Sequence, residues 1–225
     1  MPAQTETYAT VRARIEAAAA ARGASVRLLA VSKAKPAAAV RALAALGQRA
    51  FGENYVQEAL AKQRELADLA LEWHLIGPLQ SNKCREAARH FDWLESLDRP
   101  KLVPLLARER PAALPPLNVL VQVNIDDEAS KSGCDPAQAA ALCEAVAAQP
   151  RLALRGLMAI PAPHAELAAR QAAFQRMQAL YAGLAARHAG FDTLSMGMSE
   201  DFELAIAAGA TEVRIGSALF GARPR

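Results

Sequence analysis

The segment LLAVSKAKPAAAVRALAALGQRAFGEN (28–54) contains one complete unit of the pattern that decides the fold. A short run, LLAVSK (28–33), is followed by an Ala-rich stretch at 36–47 and then by a second short run, RAFGEN (49–54). Leucine-rich or β-branched runs that alternate with helical stretches predict parallel βαβ units rather than hairpins. Gly47 stands where a glycine C-cap would end the helix. The segment therefore predicts a strand, a helix and a second, parallel strand.

The same alternation continues to the end of the chain and predicts eight strands. The other six are EWHLIG (72–77), DWLESL (92–97), LNVLVQVN (117–124), LALRGLMAI (152–160), TLSMGM (193–198) and EVRIGS (212–217). Further helices are predicted at 55–69, 81–90, 99–109, 135–148, 165–188 and 201–208, and an extra one near residues 4–22. Eight such units predict a (β/α)₈ barrel of the TIM type with an extra N-terminal helix, and an open doubly wound sheet is the alternative. Since no Gly/Ser/Pro-rich spacer divides the chain, we expect residues 1–225 to form a single α/β domain.

The composition narrows the class of protein. The 225 residues are 52% hydrophobic and include 26 Lys and Arg against 23 Asp and Glu, a formal net charge of +3. This balance argues against a nucleic-acid partner, which requires basic residues gathered on one face. No run of 18 or more apolar residues is present, and the N-terminus is charged where a signal peptide would be apolar. Cys84, Cys134 and Cys143 show no C-x-x-C spacing, so we expect a cytoplasmic protein without disulfides or a metal site.

Strand alternation identifies the side chains that would reach the barrel mouth. Ligands of such barrels bind at the C-terminal ends of the strands. Alternation puts Lys33 on the inward face of the first strand, and Glu212, Arg214 and Gly216 on the inward face of the last. Because the last strand of a closed barrel pairs with the first, Lys33 and Arg214 are expected to approach each other, which favours a neutral, nucleophilic amine. The alternative is that Lys33 extends into solvent beside Lys35.

Two segments near the end of the chain carry groups suited to an anion. Ser199 follows the seventh strand at an expected helix N-cap, where backbone N–H groups point toward an anion. Gly216 and Ser217, in GSALFG (216–221), offer bare backbone and a hydroxyl where barrels often bind phosphate. A simple helix cap and a tight turn are the alternatives. Together with Lys33, these groups predict an aldehyde-reactive lysine opposite a phosphate site.

Seven motifs resemble those of a known family. They are LLAVSKAKP (28–36), FGENYVQE (51–58), WHLIGPLQSNK (73–83), SKSG (130–133), RGLMAI (155–160), GMSEDFELAIAAGAT (197–211) and VRIGSALFG (213–221). They resemble the YggS/PROSC family of pyridoxal phosphate homeostasis proteins, through nearly the whole chain. The resemblance implies a single-domain barrel related to the N-terminal domain of bacterial alanine racemase.

The resemblance also implies a role for particular residues. Lys33 would hold pyridoxal 5'-phosphate covalently, as a Schiff base, and Arg214 would face its pyridine ring. The cofactor-binding residues implied are Lys33, Asn54, Met198, Ser199, Arg214, Gly216 and Ser217. Ala34 and Ser217 stand where threonine is common in the family, but neither difference removes a backbone donor or the Ser217 hydroxyl.

Three functions remain open from the sequence. The first is a non-catalytic carrier of pyridoxal phosphate that takes part in vitamin B6 homeostasis, affects amino-acid pools and has apo pyridoxal-phosphate enzymes as recipients. The second is a racemase-like enzyme acting on amino acids, and the third is a Schiff-base aldolase without cofactor. We expect a monomer without the second domain of the racemase, so its catalytic tyrosine would be missing and Tyr55 is the one nearby substitute. The carrier is the function we predict, with no catalytic residues.

Three other polar side chains are predicted to have structural or uncertain roles. His74 and Lys83 lie in WHLIGPLQSNK (73–83), whose neighbouring apolar residues are expected to pack in the core. Lys131, in the loop DDEASKSG (126–133) after the fifth strand, is expected to be a solvated lysine, or alternatively a second amine near the barrel mouth.

Overall fold

Eight parallel strands close into a barrel in which each strand pairs with its neighbours in chain order and the last pairs with the first. The computed structural model describes residues 2–126, 132–162 and 166–221, with side chains from Tyr8 onward. The strands are β1 (Arg27–Val31), β2 (Ala50–Glu53), β3 (Glu72–Leu75), β4 (Trp93–Leu97), β5 (Leu117–Val123), β6 (Leu152–Ala159), β7 (Thr193–Ser195) and β8 (Glu212–Ile215). The closed barrel confirms the predicted (β/α)₈ fold and excludes the open doubly wound sheet.

Helices alternate with the strands, and the predicted N-terminal helix precedes them. They are α1 (Pro2–Ala20), α2 (Ala37–Ala45), α3 (Val56–Glu65), α4 (Cys84–His90), α5 (Leu102–Glu109), α6 (Ala139–Ala147), α7 (Leu167–Ala185), α8 (Phe202–Ala207) and α9 (Ser217–Phe220). Short 3₁₀ turns, Ser81–Lys83 and Pro136–Gln138, lead into α4 and α6.

Glycines end two of the helices where the sequence predicts C-caps. Gly47 follows α2 with a φ of +98°. Its N–H donates to Ala44 O (3.0 Å), and the N–H of Gln48 donates to Leu43 O (3.1 Å), the two hydrogen bonds of a Schellman motif. Gly209, with a φ of +117°, has the same place after α8. Glycine suits both positions because it adopts left-handed backbone at no steric cost.

Alternation along β1 separates the two layers of the core. Leu28 and Ala30 belong to the large buried cluster that the strands form with the helices. Leu29 instead packs in a small cluster with Ala50 and Ile76, on the inward face of the barrel. A second small cluster consists of Trp93, Leu120 and Met158. The inward face predicted for Leu29 and Val31 is therefore observed. β1 ends at Val31, however, so Lys33, predicted to be the last residue of this strand, lies in the turn that follows it.

Two strand ends near the C-terminus differ from the prediction. β7 ends at Ser195 rather than at Met198, because the chain turns at Gly197, whose φ is +93°. β8 ends at Ile215. Ser217, predicted to be the last residue of that strand, instead begins the four-residue helix α9.

Ser199 is not the N-cap residue that the sequence predicts. α8 begins at Phe202 and its N-cap is Asp201. The carboxylate of Asp201 accepts the N–H of Met198 (2.8 Å), and the N–H of Asp201 donates to Met198 O (3.1 Å). This turn lies between the strand and the helix, so Ser199 precedes the cap by two residues.

The N-terminal helix α1 packs against the outside of the barrel. Arg14 forms an ion pair with Glu203 of α8 (2.6 Å) and lies over the ring of Phe202, 4.6 Å from its centroid. The hydroxyl of Tyr8 donates to Gln48 Oε1 (3.3 Å). Neither α1 nor any other helix in the described part of the chain combines the length and apolar character needed to cross a bilayer.

Candidate functional site

The C-terminal ends of the strands surround a cavity of about 940 Å³. All the residues that the sequence predicts for cofactor binding line this cavity: Lys33, Asn54, Met198, Ser199, Arg214, Gly216 and Ser217. They follow β1, β2 and β7 or belong to β8 and the turn after it, so closure of the barrel brings them together. Tyr55 is 67% exposed and is not among the described lining residues. Lys131 lies outside the described residues.

Arg214 contributes a buried guanidinium to the cavity wall. Its Nη1 donates to Ser195 Oγ (2.7 Å) and its Nη2 donates to Ala159 O (2.7 Å), which hold the group in one orientation. Burial lowers the pKa of Arg214, while the nearby carboxylates of Glu95 and Glu212 act in the opposite direction. In the pairing of β8 with β1, Arg214 stands opposite Leu29. Lys33 and Arg214 therefore both line the cavity, but they do not occupy paired positions of β1 and β8.

The turn from β8 into α9 forms another part of the wall. Ser199 Oγ accepts the N–H of Ala218 (3.4 Å), in the first turn of α9. At Gly216, an added Cβ would lie 3.4 Å from both the Cβ and the O of Val31. Lys35 Nζ donates to Phe220 O (3.0 Å) at the other end of α9. Two serine hydroxyls and a bare backbone segment thus face the cavity at one end.

The residues on both sides of Lys33 are held by side chains of β2 and α3. Ser32 Oγ donates to Glu53 Oε1 (2.6 Å), and Lys62 Nζ donates to Ser32 O (2.7 Å). The N–H of Ala34 donates to Glu58 Oε1 (2.6 Å), although Ala34 has a φ of +58°, which a residue with a Cβ adopts at a cost. Lys62 Nζ also donates to both Glu53 Oε1 and Glu58 Oε1 (2.7 Å each). A buried network therefore fixes the backbone that carries Lys33.

Below the cavity, a chain of polar side chains runs through the barrel interior. Arg214 contacts Ser195, whose Oγ donates to Glu95 Oε2 (2.8 Å). Glu95 Oε1 lies 2.6 Å from His74 Nδ1, and His74 Nε2 lies 2.6 Å from Glu72 Oε1. Glu72 is half-exposed at the N-terminal end of the barrel. The chain thus connects the cavity to the opposite end of the barrel.

Two buried glutamates of this interior have opposite pKa shifts. Burial acts to raise the pKa of Glu95, but the hydrogen bond and charge of His74 and the charge of Arg214 outweigh burial and lower it. Burial and the neighbouring Glu95 raise the pKa of Glu212 to about 7. Neither Glu212 oxygen accepts a hydrogen bond from the described residues. Glu95 is therefore the ionised partner of the cluster, and Glu212 is the carboxyl whose charge is poorly compensated.

The interior cluster has the spacing of a metal site, but the ligand atoms of His74 and Glu95 are already occupied. His74, Glu95 and Glu212 offer atoms that lie within 4.8 Å of one another. Both ring nitrogens of His74 already contact carboxylates, and the ring stacks on Trp93 with centroids 5.1 Å apart. Binding of a metal ion by His74 would therefore require one of these contacts to be broken.

Glu72, Glu95 and the network around Lys62 are not predicted from the sequence, although Glu212 is predicted to face inward. His74 was predicted to be structural, and Glu72 and Glu95 were not identified, although each lies at an inward position of a predicted strand. A charged residue at an inward position of a buried strand is the signal that identifies them, as it identified Arg214. Glu53, Glu58 and Lys62 give no such signal, because Glu58 and Lys62 resemble an ordinary i,i+4 pair on a helix surface.

Residues 7–224 match the model of a protein family described as alanine racemase, N-terminal domain. The chain is 62% identical over 221 residues to the pyridoxal phosphate homeostasis protein of Pseudomonas aeruginosa, covering 97% of this chain and 95% of that protein. Identity to the protein of the same name from Escherichia coli is 55%, over 96% and 94% of the two chains. Among solved structures, PipY of Synechococcus elongatus with pyridoxal phosphate bound is 41% identical and superimposes with a TM-score of 0.86, covering 97% of this chain and all of that one.

Proposed function

The chain belongs to the family of pyridoxal phosphate homeostasis proteins, within the alanine racemase N-terminal domain family, and from this premise we propose that it binds pyridoxal phosphate and takes part in vitamin B6 homeostasis. One observation supports this most directly: an amine, a fixed guanidinium and two serine hydroxyls, from segments far apart in the sequence, line one cavity.

The chemistry of these groups fits the three reactive parts of the cofactor. When bound, pyridoxal phosphate supplies an aldehyde that reacts with amines and a ring that withdraws electrons. The amine of Lys33 is the group that would hold the aldehyde in a Schiff base. Arg214 would face the ring nitrogen with a donor that is always charged. Ser199, Gly216 and Ser217 would hold the phosphate, whereas Asn54 and Met198 would contact the rest of the cofactor.

A non-catalytic carrier is the role that the residues of the cavity favour. Racemisation requires an acid or base on each face of the substrate carbon. Lys33 could serve one face, but Tyr55, the substitute that the sequence suggests for the racemase tyrosine, is exposed and is not among the described lining residues. A racemase-like enzyme is the alternative. We further propose that the carrier is a cytoplasmic monomer that delivers the cofactor to apo pyridoxal-phosphate enzymes.

The test of the proposed site is reductive labelling. The protein loaded with pyridoxal phosphate is reduced with borohydride, digested and mapped by mass spectrometry. We expect the pyridoxyl group on Lys33 in the wild type and its loss in Lys33→Arg, which keeps the charge but lacks the reactive primary amine. Lys35→Arg is the matched control, because Lys35 lines the same cavity, and it should label as the wild type does.

The same experiment separates the alternatives. A label found mainly on Lys35 of the wild type, with Lys33 unmodified, would overturn the assignment of Lys33. If the protein stays colourless with pyridoxal phosphate, and borohydride instead links it covalently to a carbonyl substrate, the chain is a cofactor-free aldolase.

A further inference from the structure

One side of the cavity has no role in the proposed binding of the cofactor. The residues that would hold pyridoxal phosphate follow β1, β2 and β7 or belong to β8 and the turn after it. The cavity, about 940 Å³, lies near the upper end of the range of about 300–1,000 Å³ in which drug-sized ligands bind, so it has room for a second small molecule beside the cofactor. The lining on the side of β5 and β6 consists of other residues: Gln122, Ser132, Ile160, Pro161, Ala162 and Arg170.

Arg170 is a half-buried cation on this side of the cavity. It is the fourth residue of α7, and its Nε is buried without a hydrogen-bond acceptor among the residues that the structure describes. No ion pair of its guanidinium is found among those residues either. Arg214, the other arginine of the lining, is instead held by Ser195 Oγ and Ala159 O. Because a buried donor without a partner costs free energy, an anionic ligand would be bound favourably at Arg170.

Gln122 adds a hydrogen-bond acceptor to the same side. It lies on β5 two residues after Leu120, whose side chain packs inside the barrel, so Gln122 also faces inward. Its Nε2 donates to Ser132 O (3.1 Å), which leaves Oε1 as the acceptor of the amide. β5 stands across the barrel from β1, four strands away in either direction. Gln122 therefore faces the end of β1, after which Lys33 follows.

Asp126 joins the two segments that form this wall of the cavity. Its Oδ2 accepts the N–H of Ala162 (2.6 Å), and its Oδ1 pairs with Arg176 of α7 (2.6 Å). The segment after β5 is thereby attached to the segment after β6 and to the helix that carries Arg170. Ile160, directly after β6, adds an apolar side chain to the lining. The wall therefore combines a cation, a neutral acceptor and a small apolar surface.

We propose that this side of the cavity binds an α-amino acid, whose amine takes the pyridoxal group from Lys33. The carboxylate pairs with Arg170, because a guanidinium presents two parallel N–H donors that match the two oxygens of a carboxylate. Gln122 Oε1 accepts an N–H of the amine, and the apolar part of the ligand contacts Ile160. The inference deepens the proposed function and rests on it, since Lys33 must hold the cofactor.

The exchange requires no oxidant or reductant. Starting from the protonated Schiff base, the neutral nitrogen of the amino acid forms a double bond to the aldehyde carbon, and the double bond from that carbon to Lys33 Nζ breaks. One proton passes from the incoming nitrogen to Lys33 Nζ, so the lysine leaves as a neutral amine. The cofactor is then no longer bonded to the chain and leaves the cavity with the amino acid. Release of the cofactor would therefore respond to the concentration of amino acids.

Binding of the amino acid is tested first on the cofactor-free protein. L-Alanine is titrated, and its binding is followed by saturation-transfer NMR. We expect Arg170→Gln to bind alanine about tenfold more weakly than the wild type, because hydrogen bonds to a charged group are lost. Arg187→Gln is the matched control and should bind alanine as the wild type does, because Arg187 forms an exposed ion pair with Glu144 beyond the other end of α7. Equal binding of alanine to the wild type and to Arg170→Gln would overturn the proposal.

Inorganic phosphate distinguishes a carboxylate subsite from a second phosphate site. Phosphate should bind the cofactor-free protein at the turn after β8 and leave alanine bound. If phosphate at the same concentration displaces alanine from the wild type, Arg170 belongs to a phosphate site and the proposal is wrong.

The exchange is tested on the loaded protein by separating the released cofactor by ultrafiltration. L-Alanine is compared with ethylamine, which has no carboxylate, at equal concentrations of the neutral amine. Alanine should release the cofactor at a rate that saturates with its concentration, whereas ethylamine should act more slowly and without saturation. Arg170→Gln should lower the rate with alanine about tenfold and leave the rate with ethylamine unchanged.

The contrary results separate this inference from the proposed function. Equal rates with alanine and ethylamine in the wild type would overturn the exchange. A wild type that binds alanine through Arg170 but takes up no pyridoxal phosphate would overturn the proposed function, and with it the exchange, whereas the amino-acid subsite would stand.

Discussion

At position 216 the chain has no side chain, and the neighbouring hydroxyl is that of Ser217. A Cβ at Gly216 would just fit beside Val31 at 3.4 Å, but a larger side chain would extend into the space that the proposed phosphate needs. We expect Gly216→Val to weaken the binding of pyridoxal phosphate by more than about tenfold. Ser217→Ala should cost less, about fivefold, because one hydrogen bond contributes about 1 kcal/mol.

Titration with pyridoxal and with pyridoxal phosphate checks this prediction. Pyridoxal lacks the phosphate, so it should bind the wild type much more weakly and should be nearly insensitive to Ser217→Ala. Equal affinity of the wild type for both compounds would contradict a phosphate site at this turn.

Single residues of the site differ in how far the sequence alone identifies them. Strand alternation identifies Arg214, because a charged inward residue is rare in a barrel core. The same alternation, continued past the end of β1, singles out Lys33 in the turn after the strand. Asn54 and Met198 depend on the family resemblance, since nothing in their local pattern sets them apart. The role of Ser199 as an N-cap was wrong, because the turn at Asp201 delays the start of α8. That turn depends on side-chain hydrogen bonding that hydrophobic patterning does not reveal.

At the scale of elements, α3 holds the segment that presents Lys33. Lys62 is 5% exposed and bridges Glu53 of β2, Glu58 of its own helix and the backbone of Ser32. Removing one partner of a buried ion pair leaves the other charge uncompensated, at a cost of about 3–5 kcal/mol. Lys62→Met should therefore lower the free energy of unfolding by about that amount, measured by denaturant titration.

The variant Glu58→Gln tests whether Glu58 positions Lys33 in addition to stabilising the fold. The neutral amide accepts the N–H of Ala34 more weakly than the carboxylate does, and it loses the charge that pairs with Lys62. We therefore expect a cost of about 1 kcal/mol together with slower reductive labelling of Lys33. Arg41→Gln is the control, because it breaks an exposed ion pair with Asp68 (2.6 Å) whose loss should cost less than about 1 kcal/mol. Labelling of Lys33 at the wild-type rate in Glu58→Gln would contradict a positioning role.

The positions of most elements follow from local patterns, but their ends near the site do not. Gly47 and Gly209 end their helices as predicted, since the Schellman motif is local and needs glycine. β7 and β8 are shorter than predicted, and α9, with four residues, is too short to produce a helical period. The site lies at these irregular ends, so the sequence predicts its residues better than its backbone.

At the scale of the whole molecule, the repeated strand–helix units make the barrel predictable. The contacts inside the barrel depend on how the sheet closes and are not predictable in the same way. Eight similar units imply the fold, whichever way each strand end is assigned. The contact between Ser195 and Glu95 joins residues 100 positions apart, across a barrel whose register the sequence does not give. The polar chain from Arg214 to Glu72 is therefore a property of the assembled barrel, and only the inward parity of its members is visible beforehand.

The prediction that concerns the whole molecule is that it carries the cofactor and does not turn over a substrate. A carrier must release what it holds, and the cavity that carries Lys33 opens at the strand ends, where an incoming amine can reach it. The loaded protein is mixed with an apo pyridoxal-phosphate enzyme in the presence of a scavenger of free aldehyde. We expect the enzyme to be activated despite the scavenger, and activation to be slower with Lys131→Ala if that loop lysine takes part in release.

The controls separate delivery from buffering and from catalysis. Free pyridoxal phosphate at the same concentration should fail to activate the enzyme once the scavenger is present, which shows that the scavenger is effective. If the scavenger also abolishes activation by the loaded protein, the chain is a passive reservoir. Efficient racemisation of any amino acid by the purified chain would contradict the carrier function, because racemisation requires an acid or base acting on each face of the substrate carbon and a carrier requires neither.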